Sequence, residues 1–70
     1  MNDDELDVLR ALRDEGGAAP WSSLRRLCSL DRRAMEHIAR GLLARGLVVT
    51  TGEHDAMVML TARGRGHVLG

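Results

Sequence analysis

The stretch that most constrains this chain is SLDRRAMEHIARGLLARG, residues 29–46. Met35, Ile38, Ala39 and Leu42 recur at i, i+3, i+4 and i+7, which lines one face of a helix with apolar side chains. Arg33, Glu36, His37 and Arg40 recur at the same spacing on the opposite face. Asp31 suits an N-cap, and Gly46 stands just past the last periodic residue, where a left-handed residue closes a helix. The spacing therefore predicts a helix over 31–45. Gly41 inside it costs about 1 kcal/mol relative to alanine; close packing is one use for it. Arg32 with Glu36, and Glu36 with Arg40, stand at i,i+4 and can pair along the solvent face for about 0.2–0.5 kcal/mol each.

The flanking segments read less strongly. A first helix runs roughly from Asp3 to Glu15, with Val8, Leu9 and Leu12 on one stripe and Glu5 or Leu6 extending it. Asn2 or Asp3 caps it, and the acids that follow suit the positive end of the helix dipole; Asp14 and Glu15 sit badly at the other end. Gly16-Gly17 stops it. AAPW is extended, because a residue before proline avoids the helical region, and is read as a short strand. Ser22 or Ser23 then caps a second helix to about Cys28, with Leu24, Leu27 and Cys28 as its apolar side and Arg25 and Arg26 outward. Ser29-Leu30 leaves only a tight turn before the long helix. LVVTT and AMVML are strand-like around a turn of Gly52, Glu53, His54 and Asp55. Thr61 caps a last short helix that Gly64 and Gly66 weaken. This order predicts an α+β fold, a winged helix-turn-helix: a three-helix core with a small β-hairpin wing, one domain over residues 1–70.

Composition narrows the function classes. With 70 residues, 44% of them hydrophobic, and Trp21 as the only aromatic, the core must be small and aliphatic. Domains this small often gain stability from a partner, so a homodimer or a protein partner is expected. Trp21 and methionines 35, 57 and 59 read as core; a partner-facing Met57/Met59 pair is the alternative. Cys28 is the only cysteine, which excludes an intrachain disulfide and a CxxC zinc site, and reads as a small buried core residue. His37, His54 and His67 lie on separate elements without ligand spacing, so no metal or cofactor is expected. No nucleophile, base or phosphate loop is arranged for catalysis, so the chain is read as a non-enzyme. The acidic MNDDELDVLR start lacks an apolar run, and no stretch approaches the roughly 18 apolar residues of a membrane span, so a cytoplasmic protein is expected.

The formal net charge is zero, but the charges are sorted. Six acids against two arginines leave residues 1–15 at −4, whereas six arginines against Asp31 and Glu36 leave residues 16–50 at +4. Every formally basic residue is arginine, whose planar fork suits phosphate and guanine edges.

The stretch LRRLCSLDRRAMEHIARGLLARGLV, residues 24–48, with MVMLTARGRG, residues 57–66, resembles the DNA-binding domains of MarR-type bacterial transcriptional regulators. The phrase LLARGLV at the end of the long helix, and LTARG after the second strand, carry the likeness. The resemblance implies that the chain binds double-stranded DNA in transcription regulation, with helix 31–45 in the major groove. It implies that Ser22 and Arg25 or Arg26 lie near the DNA backbone. It further implies that Arg32, Arg33, Glu36, His37 and Arg40 face the groove, with Gly52 to Asp55 near the minor groove. Three departures stand out. The wing tip has no arginine or lysine, Glu36 sits amid the recognition face, and the 70 residues hold no counterpart of the long terminal helices through which that family dimerises. The alternative is a winged-helix protein–protein interaction module or accessory subunit that does not bind DNA, a reading the zero net charge and the acidic wing favour.

Overall fold

The computed structural model describes residues 2–52, 54 and 56–68. In chain order the elements are α1 (Asp3–Asp14), β1 (Ala18–Pro20), α2 (Trp21–Leu27), α3 (Arg32–Ala44), β2 (Val48–Thr51), β3 (Met57–Leu60) and α4 (Ala62–Val68). The strands form one antiparallel sheet in the order β1-β3-β2. The expected hairpin is β2 and β3, with Val48 opposite Leu60 and Thr51 opposite Met57. Ala18–Pro20, the first three residues of AAPW, supply the third strand, which pairs Ala18 with Met59 on the far side of β3; Trp21 begins α2.

Helix starts follow local capping chemistry. Asn2 Oδ1 accepts from the Glu5 amide at 2.8 Å, and Asp31 Oδ1 accepts from the Ala34 amide at 2.8 Å, so each polar cap satisfies an otherwise orphaned donor. The α2 start departs from expectation. Neither Ser22 nor Ser23 caps it: the helix begins at Trp21 behind Pro20, which makes no side-chain cap bond. The Trp21 amide instead donates to the Ala56 carbonyl at 3.2 Å, so the backbone just before β3 satisfies this first donor of the helix.

Helix ends share one geometry. In α1, the Gly17 amide reaches back to the Leu12 carbonyl and the Gly16 amide to that of Arg13; in α3, Leu47 bonds to Leu42 and Gly46 to Leu43. These paired bonds are the Schellman motif, whose central residue must be left-handed; Gly16 (φ 88°) and Gly46 (φ 70°) meet that need without a Cβ. The same two bonds end α2, from Leu30 to Arg25 and from Ser29 to Arg26, but the left-handed residue is Ser29 at φ 54°.

The core is aliphatic, as composition requires. Val8, Leu9 and Leu12 of α1 meet Leu24 of α2, Met35, Ile38 and Leu42 of α3, and Leu47, Val48, Val58 and Leu60 of the sheet region. Leu27 does not join them; it is 57% exposed, so the apolar side of α2 is narrower than its sequence suggests. Met57 is also corrected from core to surface, at 43% exposed, whereas Met35 is buried and Met59 half-buried. The pairing explains Met57: it lies beside Thr51 and Pro20, on the sheet face opposite Val58.

The expected three-helix core gains a fourth member. α4 forms despite two glycines because Thr61 caps it, accepting from the Gly64 amide at 3.1 Å while its hydroxyl donates to the Gly46 carbonyl at 2.6 Å. Gly64 is there for space: a Cβ on it would run into the Leu47 carbonyl oxygen. Arg13 Nη1 ties the far end of α4 to α1 through the Val68 carbonyl at 2.9 Å. Asp14, poorly placed for the helix dipole, pairs with Arg13 at 3.1 Å. Among the described residues, no helix is long and apolar enough to cross a membrane.

Candidate nucleic-acid interface

The α2–turn–α3 unit is anchored in the core. Leu24 holds α2 and Met35, Ile38 and Leu42 hold α3 there, and the Ser29 turn and the Asp31 cap lie between them. Apart from Leu27 and Leu43, the exposed side chains of α2 and α3 are polar or small. Ser22, Arg25, Arg26, Arg32, Arg33, Glu36, His37 and Arg40 are all exposed.

They do not form one uniform face. Arg32, Glu36 and Arg40 run along α3 at i, i+4 and i+8 and, with Ser22 and Arg25 of α2, border an open groove of about 690 Å³. Arg26 lies with Ser22 and Arg25 on a smaller depression over the turn, of about 350 Å³. Arg33 and His37 are exposed on α3 but border neither groove. Of the α3 side chains grouped by spacing, Arg32, Glu36 and Arg40 line the groove, while Arg33 and His37 are exposed beside it. Part of the groove lining is apolar, which the spacing does not predict. Trp21 and Met35 pack against or within the core and also line the groove, as do Ala39 and Leu43, the latter 41% exposed. A periodicity reading sends such residues to the interior, since it does not see where two helices part.

The arginines divide by what they touch. Arg13 bonds to Asp14 and Val68, Arg45 Nη1 to Glu5 Oε2 at 2.7 Å, and Arg63 Nη1 to the Arg45 carbonyl at 3.2 Å. By contrast the guanidinium groups of Arg25, Arg26, Arg32, Arg33 and Arg40 have no hydrogen-bond or ion-pair partner among the described residues. Neither anticipated pair along α3 forms: Glu36 bonds to neither Arg32 nor Arg40. Five unneutralised guanidinium groups on two adjacent helices make a surface that attracts polyanions. The acids of α1, with Asp3, Asp4 and Asp7 exposed, lie on a different element.

The wing is short. Thr50, Thr51 and Gly52 are exposed, as is His54; the Glu53 and Asp55 of the expected acidic tip lie outside the described residues. Cys28 is half-buried, and its thiol is held above the ordinary value by burial first, then by the negative fields of Asp7 and Asp4. Among the described residues, no three metal-ligating side chains come together.

Two helices with a tight turn, a following hairpin, and a strand before the helices define a winged helix-turn-helix. Solved structures place it more narrowly. BpsR of Bordetella bronchiseptica, a protein whose DNA binding is regulated by 6-hydroxynicotinic acid, superposes with a TM-score of 0.88 at 26% identity, over 99% of this chain and 55% of its own. A MarR family transcriptional regulator from Silicibacter pomeroyi gives 0.82 at 30% identity, over 94% of this chain and 48% of its own. A probable transcriptional regulator from Pseudomonas aeruginosa gives 0.85 at 25% identity, over 99% and 54%. The chain is thus a winged-helix domain similar to those of MarR-family transcriptional regulators, and it spans about half the length of these relatives. No protein-family model and no curated protein matches its sequence.

Proposed function

We propose that this domain binds double-stranded DNA in bacterial transcription regulation, in the cytoplasm and without catalysis, with α3 in the major groove. The observation that carries the reading is the set of five exposed arginines on α2 and α3 that no acid pairs with among the described residues. Arg25 and Arg26, one helix before α3, suit backbone phosphates, as does the Ser22 hydroxyl at the start of α2. Arg32, Arg33, Glu36, His37 and Arg40 are the side chains that a docked α3 turns towards base edges and flanking phosphates. The similarity to MarR-family regulators supports the same reading. Two copies reading half-sites one DNA turn apart, about 34 Å, would suit a palindromic operator.

Titration against duplex DNA at two salt concentrations tests it. Four or five phosphate contacts imply that affinity falls on the order of 10²–10³-fold between 50 and 200 mM salt. A folded protein that binds no duplex at low salt would sink this reading and favour the protein-interaction alternative. Light scattering in the presence of DNA tests the two-copy arrangement.

A further inference from the structure

Glu36 is the anomaly of the arginine surface. α2, α3 and their turn carry only two acids, and Asp31 is consumed as the α3 cap. Glu5 and Asp14 elsewhere are held by Arg45 and Arg13. Glu36 alone stands exposed between two arginines at helical spacing and bonds to neither.

We infer that Glu36 is the specificity-determining residue of this domain and reads a cytosine, an inference that rests on the DNA-binding reading above. A carboxylate only accepts hydrogen bonds. In the major groove it can be satisfied by cytosine N4 or adenine N6; guanine O6 and N7 and thymine O4 are acceptors that repel it. Adenine also presents the N7 acceptor beside N6, against which a carboxylate has no donor, so cytosine is the fitting base. Bringing Glu36 to any other base strands a negative charge against acceptors and phosphates, so the wrong sequence is rejected as well as the right one bound. Arg32 and Arg40 lie one helical step of four residues to either side, about 6 Å along the axis. That rise is roughly two base-pair steps, which puts guanines, the preferred partners of arginine, within about two base pairs of the cytosine.

The test is selection from a randomised duplex pool by the intact protein, followed by sequencing, for the natural chain, Glu36→Gln and Glu36→Ala. Glu36 is exposed, so both variants should fold, and a circular dichroism melt checks this. The natural chain is expected to enrich one cytosine·guanine pair flanked by guanines. Replacing that pair with thymine·adenine should weaken binding about tenfold. Glu36→Gln should move the preference at that position to adenine, since an amide both accepts from N6 and donates to N7. Glu36→Ala should flatten that position while leaving or strengthening affinity for random duplex. The same base enriched by all three proteins overturns the inference. So does salt-sensitive binding of the pool by the natural chain with no enrichment, an outcome that leaves DNA binding itself standing. Absence of any binding to the pool at low salt overturns both.

Discussion

Arg45, at the C-terminal end of α3, reaches across Gly41 to bond the buried carboxylate of Glu5 on α1, with 2.7 Å between Nη1 and Oε2. The Glu5 side chain is 7% exposed and that of Arg45 49%. This pair fastens the long helix to α1, while Arg32, Arg33 and Arg40 stay exposed on α3. Removing Arg45 strands a buried carboxylate, but water reaches the guanidinium, so the pair is worth less than a fully buried one. Arg45→Ala is expected to cost about 1–2 kcal/mol, a fall of several degrees in Tm for a domain of this size.

Gly41 is coupled to the same pair. A Cβ there would stand 3.1 Å from Glu5 Oε2, a tight contact that the carboxylate must yield to. Gly41→Ala alone should therefore realise little of the roughly 1 kcal/mol that alanine gains over glycine in a helix. Made in a Glu5→Ala background, the same change should realise most of it. Thermal melts of the four-member cycle measure the difference, and strict additivity would contradict the coupling.

The two glycines of α4 are predicted to behave oppositely. Gly64→Ala forces a methyl against the Leu47 carbonyl and should cost about 1–3 kcal/mol. Gly66 has nothing within 4 Å of its would-be Cβ, so Gly66→Ala should stabilise by about 0.5–1 kcal/mol. Urea midpoints of the two variants should move in opposite directions.

Ser29 holds a left-handed conformation that a Cβ makes unfavourable by about 1–2 kcal/mol. Ser29→Gly should relieve part of this, raising stability by about 1 kcal/mol, less the greater entropy of glycine in the unfolded chain. Chemical denaturation gives the sign directly.

Cys28 should alkylate slowly at neutral pH, because burial and the fields of Asp7 and Asp4 keep it protonated. Its folded pKa lies above the ordinary value of 9.0, so folding favours the protonated thiol. That contribution is complete below pH 9.0 and is lost as pH rises from there through the folded value. Iodoacetamide labelling at pH 7.5 should quicken in Asp4→Asn and Asp7→Asn; unchanged rates would leave burial as the sole cause.

The partition of arginines separates affinity from stability. Arg33→Ala and Arg40→Ala should each lower DNA affinity and reduce the salt slope by about 1 wherever a phosphate contact is lost. Their melts should barely move, since both side chains are exposed and have no partner among the described residues. Arg13→Ala should do the reverse, because it ties α4 to α1 through Val68.

The parts of this protein legible in its sequence are those governed by neighbours along the chain. Asp31, the Met35–Ile38–Leu42 stripe and Gly46 announce α3 because capping and helical periodicity act over a few residues. The same local rules pick out the exposed arginines of α2 and α3 as candidates. They misplace Leu27 and Met57, whose apolar character says nothing about whether another element covers them. Tertiary structure alone decided that Ala18 pairs with Met59, that Glu5 is buried against Gly41 and answered by Arg45, and that Gly64 admits the Leu47 carbonyl. It alone decided which arginines are spent on the fold and which have no partner among the described residues. Those contacts join residues 17 to 41 positions apart, and a partner at that distance leaves no trace in spacing or propensity.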